Sequence, residues 1–306
     1  MNLNPLTQIN LFEHKEIFNQ LYKLSKNDTL PNKILLSGEK GIGKSTLAYH
    51  LINLVLSENE EHPYDFENNK INPDNKSYKL ILNKSNPNFY LIDVLEEKKN
   101  IDINQIRELI INLNKSSFNN KKRFVLIDNI ELLNLNSINA LLKILEEPNE
   151  NINFILINNN KRVLPTLKSR CLNFKVFLTK DQSIRIVNQL LNVNINTIIN
   201  DKLFDYYSTP GKLFKLIKLA KEYDLDLAKF DLNTTLTTII KDKIYKKDKS
   251  ITEIIYSFIE LYFRNNISSE NISLLSSYHF FLEKINNTKI YNLDEETLFM
   301  EFEDKI

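Results

Sequence analysis

Glycine is scarce in this chain and concentrated at one place, and this limits the possible folds more than any other feature. Only 4 of the 306 residues are glycine, and three of the four lie within residues 38–43. Glycine is needed where the backbone takes a positive φ or where another group approaches it closely. Collagen-like and glycine-rich low-complexity structures are therefore excluded, and the cluster predicts a single site of close backbone approach.

The cluster is part of a complete phosphate-binding motif, which reads Gly38-Glu39-Lys40-Gly41-Ile42-Gly43-Lys44-Ser45-Thr46. The pattern G-x-x-x-x-G-K-[ST] lies between a β-rich run, Lys33–Ser37, and a segment with helical apolar spacing at 45–56, which is the context that this loop requires. Its backbone N–H groups and the helix dipole would hold phosphate oxygens. We predict that Lys44 neutralises the charge of the β- and γ-phosphates of a nucleotide, that Ser45 ligates Mg²⁺ and that Thr46 supports it.

The remaining composition is that of an ordinary soluble globular protein, with 42% hydrophobic and 26% charged residues. With a net charge of +1, the chain as a whole has no strong electrostatic attraction to nucleic acid or to a membrane. A single cysteine, Cys171, excludes an internal disulfide and a multi-cysteine zinc module. No signal pattern or apolar span is found, so we expect a cytoplasmic protein without membrane contact.

Strand-like and helix-like segments alternate in the first half of the chain. Apolar strands are predicted at 33–37, 89–93, 124–127, 154–157 and 172–177, and helices at 14–26, 45–56, 102–115 and 136–147. Asp102 and Gln105 form a capping-box signature for the third helix. Residues 57–88 contain three prolines and are predicted to be irregular. This alternation indicates a parallel sheet that is covered on both faces.

The strand signals stop after Leu178, and only helical patterns follow, at 183–191, 212–221 and 251–263 among others. We predict three parts: an α/β nucleotide-binding domain over 1–178, a small helical unit over 179–225, and an all-helical domain over 226–306. In open α/β sheets ligands bind at the carboxyl ends of the strands. Asp128 directly follows the apolar strand 124–127, so we predict that it holds Mg²⁺; the alternative is that it caps the next turn.

Two further runs resemble a known family. Asn-Ala-Leu-Leu-Lys-Ile-Leu-Glu-Glu-Pro at 139–148 and Leu-Pro-Thr-Leu-Lys-Ser-Arg-Cys at 164–171, with the phosphate loop, resemble the AAA+ subunits of the bacterial DNA polymerase III clamp loader, and the delta-prime type above the others. The resemblance covers 12–178 and extends more weakly to about 223. It implies an AAA+ P-loop sheet domain, a helical lid and a C-terminal helical collar that joins subunits.

The resemblance also implies roles for individual residues. Arg170 would be an arginine finger that reaches the γ-phosphate of ATP on a neighbouring subunit, a role suited to a planar permanent cation. The alternative for Arg170 is a surface ion pair. Asn158, or its neighbour Asn159, would sense the γ-phosphate and the attacking water. Lys212 would contact the phosphates from the lid, at a position where related ATPases often have arginine.

Two further features are implied in the same way. The end of the fourth predicted helix, Glu146-Glu147-Pro148, would lie near the surface between subunits. Cys171 matches a cysteine of the family, and we expect it to be a small buried packing residue.

The sequence departs from active members of this family next to Asp128. Active AAA+ ATPases usually have glutamate after this aspartate, whereas this chain has Asn129. General-base assistance is worth about 10²–10⁴-fold in rate, so we expect the chain to bind Mg·ATP and to hydrolyse it poorly. Glu131 matches no base position, and we expect it to be exposed to solvent. No zinc site is expected, because no cysteine lies between the phosphate loop and Asp128.

These observations favour a clamp-loader subunit of the delta-prime type. The resemblance implies a ring with gamma/tau and delta subunits, which acts on the sliding clamp and primed DNA through the complex. The alternative is a hydrolytically active subunit of the gamma/tau type. A P-loop kinase is a third hypothesis, and the long helical C-terminal part and the Ser-Arg-Cys run argue against it.

Overall fold

The computed structural model describes residues 4–95, 98–115, 121–146, 151–161, 163–203, 208–247, 249–267 and 272–305. The chain divides into two compact units, Met1–Leu178 and Thr179–Ile306. The first unit combines strands and helices, and the second, within the described ranges, is built from helices.

The first unit is organised around a parallel sheet. Its strands within the described ranges are β1 (Lys33–Ser37), β2 (Phe89–Ile92), β3 (Arg123–Ile127), β4 (Ile152–Asn158) and β5 (Leu172–Lys175). They lie in the order β2-β3-β4-β1-β5, and every neighbouring pair is parallel. Every residue of β3 and β4 is buried. Because successive side chains of a strand point to opposite faces, both faces of the sheet centre must be covered.

Helices of the first unit cover this sheet. They are α1 (Lys15–Lys26), α2 (Lys44–Leu56), α3 (Lys76–Leu82), α4 (Ile103–Leu113), α5 (Leu135–Glu146) and α6 (Pro165–Lys168), with a 3-10 turn at Ile130–Leu132. Leu109 of α4 and Leu141 of α5 share one buried cluster with Val125 of β3 and Leu156 of β4. The predicted capping box is present, since Asp102 accepts from the N–H of Gln105 while the Gln105 side chain accepts from the N–H of Asp102.

The prediction that 57–88 is wholly irregular is wrong, because α3 lies within it. The Asn75 side chain caps α3 by accepting a hydrogen bond from the Tyr78 N–H at 2.8 Å. Tyr78 and Ile81 are buried, and the Glu60 carboxylate accepts from the Ser77 hydroxyl at 2.6 Å. A helix of 7 residues is too short to be stable alone, so tertiary packing rather than local propensity accounts for it.

A buried arginine ties β3 to the end of α4. Arg123 is 5% exposed although it begins an otherwise apolar strand. Its Nη1 donates to the Leu113 carbonyl at 2.9 Å and to the Lys115 carbonyl at 3.2 Å. Because the last carbonyls of a helix have no partner within the helix, a cation there is favourable.

The second unit comprises α7 (Lys180–Leu191), α8 (Pro210–Glu222), α9 (Leu232–Lys241), α10 (Lys249–Asn266), α11 (Ile272–Tyr291) and α12 (Glu295–Glu303), with 3-10 turns at Ile195–Thr197, Asp201–Leu203 and Ile244–Lys246. One cluster of buried residues extends from Val187 to Phe302. The predicted fold class, a parallel α/β domain followed by helices, is confirmed. The division of the helical part at 225 stays a prediction. In the part of the chain that the structure describes, no helix has the length and apolar character to cross a membrane.

Replacing Gly38 by alanine should destabilise the fold. A Cβ at this position would lie 2.2 Å from the Val176 carbonyl oxygen, so backbone would have to move. We expect Gly38→Ala to lower the free energy of unfolding by about 1–3 kcal/mol, as overpacking does, measured by urea denaturation. Gly211→Ala is the matched control, because Gly211 lies within α8 and alanine there should be neutral or stabilise by up to about 1 kcal/mol. Equal stability of the two variants would contradict this account.

Candidate functional site

The phosphate-binding motif forms the turn between β1 and α2 at the carboxyl edge of the sheet. Gly41 and Gly43 have φ values of 87° and 93°, which side chains with a Cβ rarely adopt. A Cβ at Gly38 would collide with the Val176 backbone, as described above. At each of the three clustered positions, backbone conformation or lack of space therefore requires glycine. Glu39 and Lys40 lie in the turn between them, and Lys40 is exposed. The loop thus provides the closely approachable backbone that a phosphate group requires.

Lys44 begins α2 and is folded back over the loop. Its Nζ donates to the carbonyl oxygens of Gly38 at 2.9 Å and Glu39 at 2.5 Å. Burial lowers the pKa of Lys44 to about 8, and the carboxylates of Asp128 and Glu131 oppose part of this shift. A phosphate group at the loop would supply the negative charge that this buried ammonium lacks.

Ser45 and Asp128 meet across the site, with the Ser45 hydroxyl donating to Asp128 Oδ2 at 2.5 Å. Burial raises the pKa of Asp128, and the hydrogen bond from Ser45 opposes the shift. A hydroxyl and a carboxylate are suitable oxygen ligands for Mg²⁺, which usually takes one or two protein ligands and completes its shell with phosphate and water. The residues present therefore fit a magnesium nucleotide. Thr46 is the next residue of α2 and is half-buried.

Asn129 follows Asp128 in a left-handed backbone conformation, with φ 55°. Asparagine adopts this region more readily than glutamate does. Its Nδ2 donates to Asp93 Oδ1 at 2.8 Å, and its Oδ1 accepts from Asn159 Nδ2 at 2.8 Å. The amide therefore bridges the residue after β2 and a residue just beyond β4.

The expectation that Glu131 is exposed to solvent is wrong. Glu131 is half-buried; its Oε2 accepts from the Asn159 N–H at 3.2 Å, and its Oε1 accepts from Asn159 Nδ2 at 2.9 Å. Its charge is also close enough to raise the pKa of Lys44. The site thus holds a third carboxylate besides Asp93 and Asp128.

Asn158, the last residue of β4, and Asn159, which follows it, have different surroundings. Asn158 is 7% exposed; its Nδ2 donates to the Lys161 carbonyl at 3.0 Å, and its Oδ1 accepts from the Lys161 N–H at 3.3 Å. This pairing closes a local turn. Asn159, the alternative considered for the same role, is the one that contacts Asn129 and Glu131. The predicted sensing role of Asn158 stays a prediction.

Arg170 lies between α6 and β5 and is paired within its own chain. Its Nη2 lies 2.5 Å from Glu146 Oε1, and its Nη1 donates to the Thr166 carbonyl at 2.7 Å. The ion pair considered as the alternative for Arg170 is therefore present, and the finger role stays a prediction. Glu147 and Pro148, predicted near a subunit surface, lie outside the described residues. Cys171 is half-buried rather than buried as expected, and it packs against the buried cluster of the first unit. Burial of this extent raises the pKa of its thiol to about 11, so the thiol is neutral and suits a packing role.

Lys212 belongs to the second unit, in the first turn of α8. Its backbone N–H donates to the Thr209 hydroxyl at 3.3 Å, which caps the helix. The predicted contact between Lys212 and the nucleotide stays a prediction. Among the described residues, no group of three or more His, Cys, Asp or Glu side chains is placed to hold a metal ion.

Two residues at the site were missed by reasoning from the sequence. Asp93 follows β2 as Asp128 follows β3, so the same rule about strand ends could have found it. His14 lies against the phosphate loop, with Nε2 2.6 Å from the Ile42 carbonyl oxygen. No local pattern marks His14, because the contact joins residues 28 positions apart.

The profile of a family described as "DNA polymerase III, delta subunit" matches residues 13–179, which is more than half of the chain. The chain belongs to this family. A DNA polymerase III subunit delta' of Pseudomonas aeruginosa is 32% identical over 138 residues, which cover 45% of this chain and 40% of that protein.

Other relatives carry the name of a different DNA polymerase III subunit. A DNA polymerase III subunit gamma of Buchnera aphidicola subsp. Acyrthosiphon pisum is 26% identical over 286 residues, or 87% of this chain and 74% of that protein. A solved structure of a gamma subunit-related protein of Thermotoga maritima has 22% identity and a TM-score of 0.49, and the match covers 93% of this chain and 97% of that one. The predicted family is confirmed, while delta-prime and gamma relatives both match.

The buried ammonium of Lys44 should make stability depend on pH. Because its folded pKa of about 8 lies below the unfolded value, the folded state loses the proton first as pH rises, and stability increases between about pH 8 and 10.5. We expect the free energy of unfolding of the nucleotide-free protein, relative to Lys44→Met, to rise by about 1–3 kcal/mol across this window. Chemical denaturation at several pH values measures it.

Lys168→Met, at an exposed position outside the loop, is the matched control and should follow the wild-type curve. If the free energy of unfolding of wild type differed from that of Lys44→Met by the same amount at every pH, the attribution of the pH dependence to Lys44 would be refuted.

Proposed function

We propose that this chain is a clamp-loader subunit of DNA polymerase III, of the delta-prime type, that binds Mg·ATP but hydrolyses it poorly. The observation that carries the proposal is Asn129. It stands beside Asp128 in a complete phosphate site, and its amide is engaged by Asp93 and Asn159. An amide cannot take a proton from water, so the position offers no general base.

In this proposal the chain's own residues hold the nucleotide in a defined way. The N–H groups of the loop would bind phosphate oxygens, and the Lys44 ammonium, which donates to the carbonyls of Gly38 and Glu39, would donate to the phosphates instead. Ser45 and Asp128 would hold the magnesium ion, which would supply positive charge against the phosphates. The family resemblance implies that Asn158 and Lys212 would add polar contacts.

Arg170 would act on a neighbouring subunit rather than on this chain's nucleotide. The guanidinium is held by Glu146 and the Thr166 carbonyl, and its side chain keeps 30% of its surface exposed. An arginine has five N–H donors in a planar fork, so it can keep a support within its own chain and still bind phosphate oxygens. The proposed neighbours are gamma/tau and delta subunits of a ring that loads the sliding clamp onto primed DNA, with the C-terminal helices forming the collar.

A second candidate is a hydrolytically active subunit of the gamma/tau type. One observation favours it: Glu131 provides a carboxylate near Lys44 that Asn159 holds in place. The relatives named gamma are compatible with it too. The two candidates differ in whether this chain turns over ATP by itself.

ATPase assays separate the two candidates. We expect the isolated chain to show at most about one hundredth of the turnover of a ring reconstituted with gamma/tau and delta subunits, because general-base assistance alone is worth about 10²–10⁴-fold. The comparison uses steady-state phosphate release at saturating Mg·ATP. Turnover by the isolated chain equal to that of the ring would support the gamma/tau type instead.

Arg170→Ala tests the finger. In the reconstituted ring we expect ATP turnover to fall about 10³-fold, as loss of an arginine finger does, while the affinity of the isolated chain for ATP stays unchanged. Arg170→Lys keeps the charge without the planar fork and should recover only part of the turnover. Lys168→Ala, an exposed change two residues away, is the matched control and should leave turnover unaltered. A loss of this chain's own ATP affinity in Arg170→Ala would show that the arginine acts within its own chain.

A further inference from the structure

A buried histidine from outside the motif contacts the phosphate loop. His14 is 5% exposed, and its Nε2 lies 2.6 Å from the Ile42 carbonyl oxygen. A Cβ on Gly43 would lie 3.3 Å from the same nitrogen, so the ring also packs against the next residue of the loop. Because a carbonyl oxygen can only accept a hydrogen bond, Nε2 carries the proton and donates.

The backbone fixes where the His14 ring lies. Glu13 takes a left-handed conformation, with φ 58°, which turns the chain into α1. The His14 carbonyl then accepts from the Phe18 N–H at 3.0 Å, and Phe18 is fully buried. Burial also lowers the pKa of His14, so the ring is neutral at pH 7 and its donor nitrogen is defined by the contact with Ile42.

The contact with His14 determines the direction of a neighbouring N–H group. The Ile42 carbonyl and the Gly43 N–H belong to one planar trans peptide, in which the two groups point in opposite directions. His14 holds the carbonyl on its own side, and the Ile42 side chain is also buried, at 2% exposure. The Gly43 N–H therefore points away from His14, at the N-terminus of α2 where phosphate groups bind.

We infer that His14 is a positioning residue for nucleotide binding, which holds the Ile42–Gly43 peptide so that the Gly43 N–H is aimed at the phosphates. The inference rests on the proposed nucleotide binding and deepens it. Backbone N–H groups of this loop type hold the α- and β-phosphates. The contribution of His14 should therefore be the same for ATP and ADP.

Titration calorimetry of the full chain with Mg·ATP and with Mg·ADP tests this. His14→Ala removes the donor; His14→Gln keeps an N–H at about the reach of Nε2; and His14→Asn has the same amide one methylene shorter. Loss of one oriented hydrogen bond corresponds to a dissociation constant about tenfold higher. We expect this increase for His14→Ala and His14→Asn with both nucleotides, and near wild-type affinity for His14→Gln.

His50→Ala is the matched control. His50 is likewise buried in the first unit, but its ring contacts the Tyr64 hydroxyl and the Gln8 carbonyl. His50→Ala should lower the melting temperature, while the affinity of the folded variant for both nucleotides should stay within about twofold of wild type. If His14→Ala fails to fold, the difference in nucleotide affinity between His14→Gln and His14→Asn tests the role of His14.

The outcomes separate the inference from the function on which it rests. Wild-type affinity in folded His14→Ala or His14→Asn, or no recovery in folded His14→Gln, overturns the role of His14 alone. If wild type binds neither nucleotide more tightly than Lys44→Ala does, nucleotide binding itself is refuted.

Discussion

The parallel register of the strands is the constraint on which the site depends. Ser37 of β1 lies beside Asn158 of β4, and Ile92 of β2 lies beside Ile127 of β3, so the carboxyl ends of these strands meet at one edge. The phosphate loop, Asp93, Asp128 and Asn159 all follow directly from those ends. Close packing holds the register: β3 and β4 are buried on both faces, so a shift of one residue would move every side chain into a space that another side chain fills.

Burying the charged groups at this edge of the sheet costs free energy, and a bound ligand would reduce that cost. Burial disfavours the charged forms of both Lys44 and Asp128, and each partly stabilises the other. Phosphate oxygens and a divalent cation would supply the missing countercharges. The opposing shifts thus have a common physical origin, which is desolvation of both charged groups by burial.

The polar network around Asn129 shows how a single amide changes the chemistry available. Asn129 tolerates the left-handed turn after β3 and joins Asp93 to Asn159, which in turn holds Glu131. Each carboxylate at this edge is therefore restrained by hydrogen bonds from neighbouring groups. This arrangement suits a subunit that binds a nucleotide and hydrolyses it poorly. It is the physical basis of the proposal that ATP turnover takes place on the neighbouring subunits.

The sequence by itself determined the features that depend only on residues close to one another along the chain. The phosphate loop, the capping box at Asp102, the apolar strands and Asp128 at a strand end follow from spacing and residue type over a few positions. Only the tertiary structure decided the short helix at Lys76–Leu82, the burial of Arg123, the partners of Glu131 and the approach of His14 to Ile42. These depend on contacts between residues distant along the chain, whose energy comes from packing and desolvation that no local pattern encodes.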